Sequence, residues 1–224
     1  MKFTPEKAVI IEDTAVIADL HLGLENVLGD VPRIQIAEIV DSVRELVERY
    51  EVERLVVAGD LKHEFSRNLP YEWRDVEEFI RVTRDVELVV VRGNHDNYLA
   101  TILTKYGIEL VDRYDIHGWT IVHGHKPCDA DRIVMGHEHP AIKIRFDGTV
   151  YRYPCFLRVR GRVIVLPAFS PLVPGTDVLS RDRFISPILA NVKDEEIEVF
   201  AVDDDVVPLG ILANLRRVLE GQNL

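Results

Sequence analysis

The stretch LVVVRGNHDNY, residues 88–98, places three chemically capable side chains directly after an apolar run. Residues 88–91 predict a strand covered on both faces, because such strands show a continuous hydrophobic run instead of alternation. Asn94, His95 and Asp96 then offer an amide, an imidazole and a carboxylate within one loop. A buried strand therefore ends in groups that could bind a metal ion or transfer a proton.

Four other apolar runs end in the same way. They are TAVIAD (14–19), RLVVAGD (54–60), TIVHGH (120–125) and RIVMGHEH (132–139), and the side chains at their ends are Asp19, His21, Asp60, His123, His125, His137 and His139. In an open α/β sheet, sites are assembled in the loops beyond the carboxyl ends of the strands. Six of the eight histidines lie in these five loops. We therefore expect the loops to meet in one site.

The donor set indicates the kind of site. A single Asp after a strand is most often a turn former or a helix cap, but five such strand ends are hard to explain by turn chemistry alone. They supply carboxylate, amide oxygen and imidazole, which suit Mn²⁺, Fe²⁺, Zn²⁺, Co²⁺ or Ni²⁺. Cys128 and Cys155 do not form a CxxC pair, so neither a thiolate zinc site nor a disulfide framework is indicated. The pattern predicts a catalytic metal site.

The elements that must position these residues alternate in the first two thirds of the chain. Helical periodicity at 34–50, around 71–83 and near 98–106 separates the strands at 14–19, 54–60 and 87–93. After residue 107 short strands dominate, with turns at 147–149 and 160–162 joining apolar runs. Only 209–221 is helical again. The pattern predicts βαβαβα followed by a mostly β second half.

Composition excludes several classes of protein. The chain has 224 residues, of which 47% are hydrophobic and 29% charged, and it contains no apolar run of about eighteen residues, so we expect one soluble domain that does not span a membrane. The N-terminus does not read as a secretory signal, which favours a cytoplasmic location. A net charge of −11 opposes general adhesion to nucleic-acid backbones.

The motifs also carry a family resemblance. They are DLH at 19–21, GD at 59–60, GNHD at 93–96, HG at 123–124 and GHEH at 136–139. In order and spacing this series resembles the calcineurin-like metallophosphoesterases. With LPAFSPLVPG at 166–175 it further resembles small phosphoesterases related to the nuclease subunit of double-strand-break repair complexes, and the bacterial ligase-associated phosphoesterases.

The resemblance implies an α/β fold, a four-layer α-β-β-α sandwich of mixed sheets with a site for two metal ions at the carboxyl ends of strands. One ion would be held by Asp19, His21, Asp60 and His139, and the other by Asp60, Asn94, His123 and His137. Asp60 and a hydroxide would bridge the two ions, of which Mn²⁺ is expected first and Fe, Zn, Co or Ni are alternatives.

The resemblance also implies roles for two residues beside the ligands. His95 would donate a proton to the departing alkoxide, and Asp96 would orient its imidazole. Lys62 and His63 could contact phosphate or lie in an exposed loop. We expect His125 beside the ligands and not among them, and we leave Arg92 outside the site as a solvated charge.

The expected activity is in-line hydrolysis of a phosphodiester. A non-catalytic scaffold with the same fold is the alternative from another class, although every motif position is filled. Only 28 residues separate Asn94 from His123, which leaves little room for a capping domain. A cyclic nucleotide or an exposed nucleic-acid end is therefore favoured over duplex DNA. A nuclease module that acts with a DNA-processing partner is the remaining alternative.

Overall fold

The computed structural model describes residues 1–27, 33–67 and 69–221, which form two β-sheets flanked by helices. The strands are β1 (Lys2–Phe3), β2 (Val9–Ile11), β3 (Thr14–Ile17), β4 (Arg54–Ala58), β5 (Glu87–Val91), β6 (Leu110–Val111), β7 (Tyr114–Ile116), β8 (Trp119–Val122), β9 (Ile133–Met135), β10 (Pro140–Phe146), β11 (Thr149–Val159), β12 (Val163–Val165), β13 (Thr176–Asp177), β14 (Ile197–Val202) and β15 (Val206–Ile211). The helices are α1 (Ile34–Tyr50), α2 (Pro70–Val82), α3 (Leu99–Leu103) and α4 (Leu212–Gly221).

The first sheet has the strand order β1-β2-β3-β4-β5-β6. Its strands β3 to β6 are parallel, while β1 and β2 extend one edge in antiparallel pairing. Parallel neighbours need a crossover connection, and α1, α2 and α3 supply these connections. The carboxyl ends of β3, β4 and β5 therefore lie side by side at one edge of the sheet.

The second sheet has nine strands and is mixed. Its central strands β8, β9 and β12 are parallel, and β10, β11, β14 and β15 pair in antiparallel fashion. The turns predicted at 147–149 and 160–162 join β10 to β11 and β11 to β12, as expected. The carboxyl ends of β8 and β9 form a second row of loops.

The sheets pack face to face, and helices cover their outer faces. One hydrophobic core lies under α1 and α2 and includes Leu46 and Phe79. A second lies between the sheets around Phe156, and a third includes Val199 and Leu212 of α4. Each fully buried side chain of this size contributes about 1.5–3 kcal/mol. The predicted four-layer α-β-β-α sandwich of mixed sheets is confirmed.

Most of the predicted elements are present, although the strands predicted at 14–19, 54–60 and 87–93 each end two residues earlier. The helix predicted at 209–221 begins only at Leu212, because residues up to Ile211 form β15 and pair with β14. In β5, Val90 and Val91 are buried but Leu88 and Val89 are only partly so. No helix among the described residues is both long and apolar enough for a membrane span.

Candidate metal centre

Loops from both sheets meet at one point. Asp19 and His21 follow β3, Asp60 follows β4 and Asn94 follows β5, all in the first sheet. His123 follows β8, and both His137 and His139 follow β9, in the second sheet. Because the two sheets pack face to face, they bring together side chains that lie up to 120 positions apart in the sequence.

A first group of donors contains Asp19, His21 and His139, whose ligand atoms lie within 4.8 Å of one another. His139 Nε2 is 3.2 Å from Asp19 Oδ1 and 3.4 Å from His21 Nε2. His21 Nε2 is also 3.9 Å from Asp60 Oδ2. Asp60 thus lies at the edge of this group.

A second group forms around His123. Its Nε2 atom is 3.3 Å from Asp60 Oδ2, 3.0 Å from Asn94 Oδ1 and 3.2 Å from His137 Nδ1. Since Asp60 Oδ2 is close to His21 as well as to His123, it lies between the two groups. The structure therefore brings together all seven residues that we predicted as metal ligands.

The contacts within the two groups fit cations better than hydrogen bonds. Two ring nitrogens face each other in the His21–His139 pair and again in the His137–His123 pair. Asp19 Oδ1 is buried and, although 3.2 Å from His139 Nε2, accepts no hydrogen bond from any described residue. Buried charges are normally paired or bound to a metal. This donor set, with oxygen and imidazole nitrogen, suits divalent transition ions.

Burial keeps two of the imidazoles, those of His21 and His137, unprotonated. Burial lowers the pKa of His21 to about 4, and it also lowers the pKa of His137 to about 4. Burial opposes the charge of His123 too, but the hydrogen bond with Asp60 and the charges of Asp19 and Asp60 raise its pKa to about 9. Neutral imidazoles have the free lone pair that metal binding requires.

The orientation of His123 is set by the backbone of the first sheet. Its Nδ1–H donates to the carbonyl oxygen of Ala58 at 3.1 Å, which leaves Nε2 directed at the donor groups. Such a contact on the remote ring nitrogen is typical of metal-binding histidines, because it fixes the tautomer and the ring. The Ala58 carbonyl therefore prepares His123 for a ligand at Nε2.

Several site residues adopt a left-handed backbone conformation. Asp19, His21, Asp60, His137 and His139 have φ values of 59°, 47°, 53°, 72° and 45°. Residues other than glycine rarely take positive φ values. Strain of this kind persists only where the surroundings enforce it, and it clusters at functional sites.

Glycines that precede the site residues allow the loops to approach closely. A Cβ atom on Gly93 would lie 2.0 Å from Asp60 Oδ1, and one on Gly59 would lie 2.4 Å from His123 Nδ1. If Gly93 and Gly59 were alanines, the Asp60 carboxylate and the His123 imidazole could not keep their positions. The motifs GD and GNHD therefore need their glycines to pack one strand end against another.

Comparison with known proteins agrees with this geometry. The profile of the calcineurin-like phosphoesterases matches residues 13–127, about half of the chain. The chain belongs to the calcineurin-like phosphoesterase family. Proteins of this family are metal-dependent phosphoesterases, so the two donor groups are its candidate metal-binding residues. A comparison with curated proteins gave no match.

Solved structures resemble this phosphoesterase in fold. The nuclease MPE of Pseudomonas putida is 22% identical, with 92% of each chain covered and a TM-score of 0.69. YfcE, a phosphoesterase from E. coli, is 17% identical over 85% of this chain and 88% of its own, with a TM-score of 0.44. At this identity the first likeness supports the fold alone.

The two residues expected to act beside the ligands are placed differently from each other. His95 lies at the site: its backbone N–H donates to Asp60 Oδ1 at 2.8 Å, and its ring packs edge-on against His21 with 5.0 Å between centroids. Its Nδ1 atom contacts the carbonyl oxygen of His63. This carbonyl therefore helps to orient the imidazole.

Asp96 has a different task in the described structure. It is fully buried, and its carboxylate accepts the backbone N–H groups of Asp60 at 2.9 Å, Gly93 at 2.8 Å and Lys62 at 3.3 Å. Burial, and then the charge of Asp60, raise its pKa to about 6. Both of its oxygens tie the β4 and β5 loops together, and its expected role in orienting the His95 imidazole stays a prediction.

The structure also places Lys62, His63 and His125, whose surroundings the sequence did not determine. Lys62 is buried and its ammonium contacts the carbonyl of Glu64, so it is not part of an exposed loop. His63 stacks on His95 with ring centroids 5.5 Å apart. His125 lies beside His123, with 5.2 Å between ring centroids. His63 and His125 therefore border opposite sides of the centre.

Gln35 is a positioning residue that the sequence analysis missed. Its Nε2 donates to the carbonyl oxygens of Leu20 at 3.1 Å and His21 at 2.9 Å, and to Ser170 Oγ at 2.9 Å. It thereby ties the DLH loop to α1 and to the segment after β12. The sequence did contain a signal. Gln35 precedes Ile39 by four positions and Val43 by eight, so this polar residue lies on the apolar face of α1.

Glu138 is a second missed positioning residue. It stands between His137 and His139 in the sequence, and its side chain is buried. Its Oε1 accepts the backbone N–H of Ser186 at 2.6 Å. Ser186 Oγ in turn donates to the carbonyl oxygen of Gly124 at 2.6 Å. Glu138 thus holds the GHEH loop against the HG loop.

Proposed function

We propose that this protein is a phosphodiesterase that uses two divalent metal ions. Asp19, His21 and His139 would hold one ion, and Asn94, His123 and His137 the other, with Asp60 shared between them. The observation that carries the proposal is the convergence of this complete donor set on Asp60, with ring nitrogens facing one another and Asp19 Oδ1 unsatisfied among the described residues.

Two bound cations would activate water and neutralise the charge that develops on the phosphate. The chain itself contributes position and proton transfer. The acid we propose is His95: its Nδ1 contacts the His63 carbonyl, so Nε2 is the atom that would give a proton to the departing oxygen. Asp96 supports this step indirectly, by holding the loops that carry Asp60 and His95.

A phosphodiester is the substrate that we propose within the broader phosphoesterase activity. The site lies at the rim of the sheets, and few residues are available between the motifs to enclose it. A flexible ester, such as a cyclic nucleotide or a nucleic-acid end, could reach such a site. The similar structure from Pseudomonas putida is described as a nuclease, which supports nuclease action, alone or with a DNA-processing partner, as the second candidate.

A non-catalytic scaffold is the candidate from another class. A scaffold would need neither an acid beside the donors nor a buried carboxylate oxygen that accepts no hydrogen bond from the described residues. Since His95 and Asp19 are both in place, we favour turnover. Loss of activity and of metal binding in the same variant would distinguish an enzyme from a scaffold.

The test is removal and return of metal. Exhaustive chelation, checked by elemental analysis, should abolish hydrolysis, and Mn²⁺ should restore it better than Ca²⁺, because imidazole ligands disfavour a large hard cation. The loaded protein should be assayed on phosphomonoesters, bis-aryl phosphodiesters, cyclic nucleotides and single- and double-stranded DNA and RNA. Full activity in metal-free protein would disprove the dimetal proposal.

A further inference from the structure

A cavity of about 310 Å³ opens beside the metal centre. It shares His123 with the centre, and His125 lies on its wall. None of the residues that surround the His95 ring lines it. If His95 protonates the leaving group, the cavity lies on the side of the phosphate where the other ester group remains.

The fold gathers the walls of this cavity from three loops. Arg92 follows β5, Arg113 lies between β6 and β7, and Lys126, Pro127 and Cys128 follow β8. The sequence contains no cluster of basic residues here. The packing of the two sheets brings these cations to one opening.

The charges of the lining do not suit a bare anion. Arg113 is committed to Asp115, with Nε and Nη2 donating to its carboxylate at 3.0 and 2.6 Å. Arg92 Nε lies 3.5 Å from Asp112 Oδ1. Asp112 and Asp129 both line the cavity, so its two remaining cations, Arg92 and Lys126, are balanced by two carboxylates.

The mixture of groups suits a nucleoside instead. Val122, Pro127 and Cys128 supply an apolar surface for a base or sugar. Arg92 supplies donors and Asp112 supplies acceptors for the polar edge of a base or for a sugar hydroxyl. Pockets that bind small organic ligands combine an apolar lining with a few polar groups, and 310 Å³ is at the lower end of their range.

We propose that this cavity receives the nucleoside whose phosphate is held at the metal centre, so that the substrate class is nucleotide phosphodiesters. The inference rests on the proposed phosphodiesterase function. It excludes phosphodiesters with small alkyl groups as good substrates. It also assigns Arg92, which the sequence analysis left outside the site, to substrate specificity.

Two chromogenic esters test this assignment with the metal-loaded protein. Thymidine 5′-(p-nitrophenyl phosphate) and methyl p-nitrophenyl phosphate share a leaving group and differ in the group that remains. We expect kcat/KM to favour the thymidine ester at least tenfold, about 1.4 kcal/mol. Equal values for the two esters would overturn the nucleoside subsite and leave the phosphodiesterase function intact. Hydrolysis of neither ester would instead count against the proposed function.

Cys128 allows the cavity to be filled selectively. Cys128 is half-buried, whereas the other thiol, Cys155, is fully buried. Burial raises the pKa of the Cys128 thiol, so alkylation with N-ethylmaleimide needs mildly alkaline buffer. The preference for the thymidine ester should fall toward one after alkylation. An equal loss with both esters would overturn the proposal.

A matched control and a protection assay complete the test. Treated Cys128→Ser protein should behave like the same variant without reagent. Thymidine 5′-monophosphate should slow alkylation of Cys128 in the wild type, and inorganic phosphate at the same concentration should not. Protection by both would indicate an anion subsite, and protection by neither would indicate an unused cavity; either result overturns the proposal. This assay requires no turnover, so it remains decisive if the esters are not hydrolysed.

A second basic surface, which does not border the metal centre, provides a control for charge. Arg132 and Arg162 line another cavity, at the amino ends of β9 and β12 and therefore away from the site. Arg92→Gln should lower the preference for the thymidine ester, and Arg132→Gln should not change it. An equal effect of the two variants would show that general charge, and not the cavity, determines the preference.

Discussion

The two sides of the metal centre are built differently. On one side, the His123 side chain has no exposed surface and is enclosed by Asp19, Asp60 and the Ala58 carbonyl. On the other side, His95 packs against His63 and the ring of Phe65, which is 58% exposed. The His123 side is a fixed frame, and the His95 side presents its rings to solvent.

This difference indicates a division of labour. A buried imidazole whose remote nitrogen is held by a hydrogen bond can keep a metal ion in one geometry, because this supporting contact sets the ligand's direction. An acid must instead reach a substrate that enters from solvent. We therefore expect changes on the His123 side to alter metal binding, and changes on the His95 side to alter the chemistry of the leaving group.

Asp60→Asn should have the largest effect because Asp60 lies between both sides. The bridge on which both ions depend would be weakened, so hydrolysis of alkyl and aryl phosphodiesters should fall together to the level of the chelated protein. Metal stoichiometry and kcat for both substrates are the measurements. A variant that retains two ions and normal rates would remove Asp60 from its bridging role.

His95→Asn should separate the two sides. Metal content should be retained, while turnover of a substrate with an alkoxide leaving group should fall by roughly 10² to 10⁴, the usual contribution of a positioned acid. An activated aryl phosphodiester should be affected much less, since its leaving group departs without a proton. The measurements are the metal stoichiometry and kcat of the variant and wild type on both substrates.

The same experiment can contradict the role given to His95. If the variant loses metal, His95 helps to hold the metal ions, and the His95 and His123 sides do not have separate roles. If it slows the alkyl and aryl substrates equally, His95 is not the acid. Asp60→Asn serves as the reference for a change that must affect both substrates.

Gly59→Ala should damage the His123 side through packing alone. The added Cβ would lie 2.4 Å from His123 Nδ1, and Gly59 has a φ of 90°. We expect metal affinity to fall about 10- to 100-fold, as for other changes that misplace a ligand. Metal titration and the thermal midpoint are the measurements.

Gly118→Ala is the matched control for this change. Gly118 has a φ of 76°, but no atom lies within 4 Å of its added Cβ. It should lower stability by about 1 kcal/mol through the same backbone strain and leave metal affinity unchanged. If the two variants bind metal equally well, the contact between Gly59 and His123 does not support the centre.

Much of the fold was predictable because its signals are local. The helix at 34–50 and the strands before each motif follow from hydrophobic periodicity, and the structure confirms them. The register of β14 and β15 was not predictable. The two strands form a hairpin whose register shifts between Val199 and Phe200, a feature that hydrophobic periodicity does not reveal, and this pairing makes residues up to Ile211 a strand where a helix was predicted.

The candidate site shows a different limit. The side chains at the strand ends could be recognised by type, and the structure brings them together. The contacts that support them could not be read from spacing, because they join distant segments: Gln35 reaches Ser170, and Glu138 reaches Ser186. The contacts of Asp96 were also not predictable, since its partners are backbone N–H groups.

The smallest expected effect concerns nucleic acid. Of the cations around the cavity on the His123 side, Arg113 is held by Asp115 and Arg92 lies 3.5 Å from Asp112, so duplex DNA would find at most two cations for phosphate contacts, Arg92 and Lys126. Each neutralised phosphate contributes about −0.9 to the slope of log K against log salt for duplex DNA, so two contacts predict a slope of about −2. With a net charge of −11, binding should also be weak.

The measurement is a titration of labelled duplex at several salt concentrations, and Arg92→Gln should make the slope shallower by about one. Tight binding with a slope several units steeper would mean that a larger basic surface exists, and the cavity would then not be the main point of contact with nucleic acid.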